Sequence, residues 1–133
     1  MLLPLLNKES TSQELSNLCW LLNEIQTSCE DLNIRWKIAR LADQAEELKE
    51  SFLEENLIFL LPASDHYKTF FEKVSTERTE ALLSFAFNSA AVIDSANYEE
   101  FEPGAEFRSQ IKSIRKETLH LLHEKRGWKD EVD

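Results

Sequence analysis

Apolar side chains recur at alternating steps of three and four through most of the chain, and this spacing constrains the fold more than any other feature. Leu15, Leu18, Leu22, Ile25 and Cys29 form one stripe, which Trp20 and Leu21 broaden. Ile34, Ile38, Leu41, Ala45, Leu48 and Phe52 form a second, out of phase with the first. Such steps keep side chains on one face of a helix with 3.6 residues per turn, whereas a half-buried strand needs strict alternation. Composition points the same way. Leu occurs 20 times, Ile 7 and Val 3, a balance that favours helix over strand. Only 2 Gly and 3 Pro interrupt 133 residues, a length that suits one domain with a real core.

Local signals place the helix ends. Thr11-x-x-Glu14 matches a capping box and predicts a first helix over about 12–28. Thr27-Ser28 followed by Glu30-Asp31 reads as a fresh start, since a hydroxyl can accept an N–H there and acids suit a first turn. The second helix is expected over about 31–60, with Arg35, Lys37, Arg40, Asp43, Glu47, Lys49, Glu50 and Glu54 outward and Pro62 as its stop. Ser64 or Asp65 caps a third, which buries Tyr67, Phe70, Phe71, Val74, Leu82, Phe85, Ala86, Ser89, Val92, Ile93 and Ala96. Ser75-Thr76 either interrupts it or does not. Residues 97–104 read as the one long loop. The last helix starts near Ala105, carries Phe107, Ile111, Ile114, Thr118, Leu121 and Leu122, and stops at Gly127 after Lys125 and Arg126. Trp128 is expected to fold back on it.

The expected fold class is all-α: an antiparallel up-and-down helical bundle of four helices, or five if 65–97 is interrupted. A single domain spans 1–133, with short extensions at 1–10 and 128–133.

The chain carries 25 acids and 15 bases, a net charge of −10. A field of that sign repels phosphate backbones and anionic lipid and suits a basic protein partner. Residues 1–106 hold 20 acids against 8 bases, while 107–133 hold 7 bases against 5 acids. The last helix is therefore a basic element on an acidic body. Cys19 and Cys29 would lie roughly 15 Å apart on one helix, too far for a disulfide, and neither belongs to a C-x-x-C pair. A reducing, cytoplasmic setting is the expectation. The apolar start Met1–Leu6 is too short for a signal core and lacks a basic flank, and the run Leu57–Leu61 is far below a membrane span. A soluble chain with no membrane partner is predicted.

Phosphate-cradling loops and nucleophile elbows need glycines that this chain lacks. Glu117-x-x-His120, with His123 one turn on, has the spacing of one half of a di-iron bundle site, but no second E-x-x-H exists. Neither a metal nor a cofactor is predicted. Glu46, Glu47 and Glu50 cluster on the second helix. Glu47-x-x-Glu50 resembles the first half of the acidic motif of helical magnesium-dependent nucleotide pyrophosphohydrolases. The E-x-x-D half is missing, because Pro62 precedes Asp65 by three and Ala91 precedes Asp94. A solvated acidic face is the better reading.

Arg115-x-x-x-x-His120 on the last helix resembles the R-x4–6-H motif of HEPN domains, small helical bundles that are often dimeric and in many cases metal-independent RNases. The resemblance covers one motif and the fold class. It implies that Arg115 holds a phosphate and His120 moves a proton across a dimer cleft, with Lys112, Lys116 and His123 adding positive field. The residue after the Arg is often Asn in that family and is Lys116 here.

Tyr98-Glu99-Glu100-Phe101-Glu102 mixes acids with aromatics. It can dock on a basic partner, aromatics anchoring and acids steering, or its aromatics can close the bundle end. The sequence thus predicts a non-catalytic acidic interaction protein (a regulator, an inhibitor or immunity-type protein, or an adaptor subunit) that uses residues 98–102 against a protein partner. A second copy of the chain is a further candidate partner. RNA cleavage through Arg115 and His120 is the alternative.

Overall fold

A computed structural model of the chain describes residues 3–59, 61–73 and 77–127. Its elements are β1 (Leu5–Leu6), α1 (Lys8–Ser28), α2 (Leu32–Asn56), α3 (Asp65–Glu72), α4 (Arg78–Ser95), β2 (Asn97–Tyr98) and α5 (Ala105–Arg126). The all-α bundle is the fold that the spacing predicts, with residues 65–95 forming two helices.

Cross-helix contacts fix the directions. α1 is flanked by α2 and α4, and α5 fills the fourth corner between α4 and α2. Arg78 at the start of α4 pairs with Glu24 near the end of α1. Arg126 at the end of α5 pairs with Glu80 near the start of α4, and Glu124 meets Lys37 near the start of α2. Neighbouring helices are therefore antiparallel around the square. α2 and α4 stand on a diagonal, and the chain between them returns along α1. Ser16 donates to the Leu61 carbonyl, Gln13 donates to the Pro62 carbonyl, and Asn17 accepts from the Ser64 amide. α3 then docks through aromatic rings: Phe71, fully buried, lies between Trp20, Phe70 and Phe85.

The predicted stripes form the core. Leu15, Leu18, Leu22, Ile25, Ile34, Ile38, Leu82, Ile93, Ile111 and Ile114 are all essentially inaccessible. Burying each such side chain is worth about 1.5–3 kcal/mol. The packing of four apolar faces, rather than intrinsic propensity, is therefore what holds the helices.

The helix ends differ from the sequence expectations in three places. α1 begins at Lys8, four residues earlier than predicted. Asn7 is its cap: its side chain accepts from the Ser10 amide at 2.8 Å, while Ser10 Oγ accepts from the Asn7 amide at 2.9 Å. Thr11 turns inward and its hydroxyl donates to the Asn7 carbonyl. α2 stops at Asn56, well before Pro62, because Leu57 adopts the left-handed conformation (φ 53°) as its C-cap. The stretch expected as an N-terminal extension is tied down: Leu5 and Leu6 pair in parallel with Asn97 and Tyr98, inside the predicted loop. This clasp joins the start of α1 to the end of α4. Ser64 and Gly127 cap α3 and α5 as expected. The predicted fold-back of Trp128 and the extension at 128–133 lie outside the described residues, as does Val74.

Candidate functional site

The clasp end of the bundle collects the start of α1, the end of α2, β1, β2 and the start of α5. Its interior is an aromatic plug. Phe52 of α2 packs on Phe101 (centroids 5.9 Å apart) and on Phe107 (5.5 Å), and Phe101 meets Tyr98 edge-on at 5.1 Å. The Tyr98 hydroxyl donates to the Ile93 carbonyl, and burial pushes its pKa up to about 12, so it remains a donor. Arg108 stacks over the Tyr98 ring and pairs with Glu102. Of the five residues 98–102, then, Tyr98 and Phe101 close the end of the bundle, while Glu99, Glu100 and Glu102 face solvent.

Those three carboxylates are joined by Glu9, Glu54, Glu55 and Glu106, all exposed at the same end. Among the described residues these seven exposed carboxylates stand beside the cations Lys8 and Arg108, while the less exposed Asp94 at the end of α4 is paired with Arg115. Among the described residues no ion pair reaches Glu9, Glu54, Glu55, Glu99, Glu100 or Glu106. Large apolar side chains are exposed at this end too. Leu57 is 90% exposed and Phe59 93%, and Leu3 and Leu5 on the clasp are half-exposed or more. A groove of about 460 Å³ opens between α2 and α5, with Leu48, Phe52 and Phe107 as its floor and Glu47, Glu55 and Glu106 on its rim. An apolar floor under a carboxylate rim fits a long basic side chain, whose methylenes are apolar and whose head is charged.

Glu99, Glu100 and Glu102, singled out from the sequence, are exposed at this end, but sequence reasoning missed the exposed apolar residues. The signal was the run Leu57–Leu61, which reads as the end of a helix. Once α2 stops at Asn56, Leu57 and Phe59 have no helix face to bury.

Arg115 and His120 both lie on α5. Five residues of helix separate them by about 140° around the axis, so one copy does not bring them to one face. Arg115 leans on α4, paired with Asp94 at 2.7 Å and stacked over Phe87. That carboxylate engages one guanidinium nitrogen of a side chain that stays 43% exposed. His120 is half-buried. Glu117 lines a groove between α2 and α5 with Trp36, Arg40 and Glu47. Glu46 is engaged by Lys49 and Asn23, while Glu47 and Glu50 are exposed. Among the described residues no three His, Cys, Asp or Glu side chains converge as metal ligands. Cys19 and Cys29 are buried free thiols, and burial with Glu46 nearby pushes the Cys19 pKa up to about 12, which makes it a poor nucleophile. No described helix is long and apolar enough to cross a membrane.

No known protein family, characterised protein or solved structure matches the chain.

Proposed function

We propose that the chain is a non-catalytic acidic interaction protein, a regulator, inhibitor or adaptor subunit, whose clasp end docks a protein partner with a basic surface. The observation that carries this reading is a coincidence at one end of the bundle: carboxylates with no ion pair among the described residues share that end with exposed Leu3, Leu5, Leu57 and Phe59. Neither feature helps the bundle fold. Exposed apolar side chains gain nothing by exposure, and clustered carboxylates repel one another. Together they suit a partner that supplies apolar anchors and cations, with charge speeding encounter and apolar contact holding the complex. We further place the protein in the cytoplasm, a reading supported by its two buried free thiols.

The test is affinity capture from the source cells, with wild type compared against Glu99→Lys, Glu100→Lys, Glu102→Lys combined and against Leu57→Ser, Phe59→Ser combined. The reading expects a basic protein recovered by wild type and lost with both variants. Recovery unchanged by either variant contradicts it. RNA cleavage by Arg115 and His120 is the second reading. Cleavage by wild type that disappears in His120→Ala would replace the binding role with catalysis.

A further inference from the structure

α2 is sorted by charge along its length. Residues 32–42 carry Arg35, Lys37 and Arg40 and no acid, whereas 43–56 carry six acids and one base, Lys49. This order opposes the helix dipole, which favours anions at the N-terminus and cations at the C-terminus. The other four helices each place an acid in the first turn, and α5 ends in His123, Lys125 and Arg126. α2 has neither an acid in its first turn nor a base in its last, and only its cap, Asp31, follows the rule. The arrangement therefore works against the stability of the helix that carries it.

The same helix exposes Leu32 (75%) and Trp36 (61%) one turn apart. Arg40 lies over the Trp36 ring, 5.4 Å from its centroid, which pre-forms a flat, cationic, aromatic anchor. Beside it runs the groove of about 580 Å³ between α2 and α5, lined by Trp36, Arg40, Asp43 and Glu47.

The face that carries Trp36, Arg40, Asp43 and Glu47 is cationic and aromatic in its first half and acidic in its second, and is complementary to itself when turned end for end. We infer that two copies of this chain pair antiparallel through α2, about a twofold axis between Arg40 and Asp43. That register sets Arg40 of each copy against Asp43 of the other and Trp36 against Glu47. A twofold contact satisfies both halves of the pattern at once and closes on itself. The net charge of −10 opposes association at long range, but salt screens charges beyond about 8–10 Å and leaves the facing pairs to decide. The inference is independent of the role proposed for the clasp end.

Sedimentation equilibrium of the full chain tests it. The account expects a reversible dimer whose dissociation constant rises about thirtyfold or more in Trp36→Ala and about tenfold or more in Arg40→Asp. Both side chains are exposed, so circular dichroism should report an unchanged fold. The double variant Arg40→Asp, Asp43→Arg should restore the dimer, because the twofold pairs the exchanged charges with each other. A strict monomer at the highest attainable concentration overturns the inference. A dimer indifferent to Trp36→Ala and Arg40→Asp overturns it too, and a double variant that stays monomeric overturns the register.

Discussion

The two ends of the bundle solve the same problem with different materials. At the end opposite the clasp, among the described residues, seven carboxylates (Glu24, Glu30, Asp31, Glu72, Glu77, Glu80 and Glu124) stand among six cations (Arg35, Lys37, Lys73, Arg78, Lys125 and Arg126), and three ion pairs tie α1 to α4, α4 to α5 and α5 to α2. At the clasp end, among the described residues, Asp94 pairs with Arg115 and Glu102 with Arg108, while Glu9, Glu54, Glu55, Glu99, Glu100 and Glu106 have no ion pair, and closure falls to a two-residue strand pair and four aromatic rings. Charge at the first end is cross-linked between helices. Most carboxylates at the second face outward around the plug, where Arg108, paired with Glu102, covers the Tyr98 ring. Among the described residues, most carboxylates of the clasp end thus have no ion pair, while the ion pairs of the opposite end cross from helix to helix.

The comparison is broken most severely by emptying the plug. Phe52→Ala removes a ring that is 3% exposed and touches both Phe101 and Phe107, and should lose about 3–5 kcal/mol in urea unfolding. A loss below about 1 kcal/mol would mean that the clasp end is closed by something else. Arg78→Ala probes the opposite end, where the guanidinium pairs with Glu24, donates to the Phe71 carbonyl and stacks on the Phe71 ring. Its partly exposed position sets the expected loss at about 1–2 kcal/mol. Glu99→Lys, Glu100→Lys, Glu102→Lys combined should change unfolding free energy by no more than about 0.5 kcal/mol per site, in either direction, since these carboxylates sit on the surface. A large destabilisation would show that they are structural after all.

The smallest effect comes from Glu14, in the second turn of α1, whose carboxyl burial holds above the ordinary value. A group whose folded pKa is raised favours folding while it is protonated, and that advantage is lost as pH rises through the folded pKa. Glu14→Gln should therefore raise Tm slightly at pH 7, with the gap closing toward about pH 4 as the wild-type carboxyl protonates. A variant less stable than wild type at pH 7 contradicts this.

Much of the fold was legible because the stripes are long. Six apolar residues from Ile34 to Phe52 at helical steps leave no other way to bury them. The ends were less legible because capping is decided by competition between neighbouring polar residues. Thr11 and Glu14 fit the capping motif as well as Asn7 and Ser10 do. The earlier pair wins because Thr11 is wanted inside, where it is fully buried. The clasp could not be read at all, since two-residue strands have no period. The site was half legible. The acids of 98–102 stood out, but the fate of their aromatics depended on where Phe52 and Phe107 meet, and the exposure of Leu57 and Phe59 depended on α2 stopping at Asn56. The charge order along α2 was in the sequence from the start. It gained meaning only beside an exposed Trp36.

The central claim is that the clasp end is a docking surface for basic partners. It is tested most directly by amide chemical shifts during titration with a helical peptide bearing one face of Lys and Arg and one of Leu. The account predicts saturable shifts concentrated in residues 50–59 and 98–110, weakened by added salt and abolished by Glu99→Lys, Glu100→Lys, Glu102→Lys combined. Shifts spread evenly over the acidic surface, or centred on the opposite end, would contradict it.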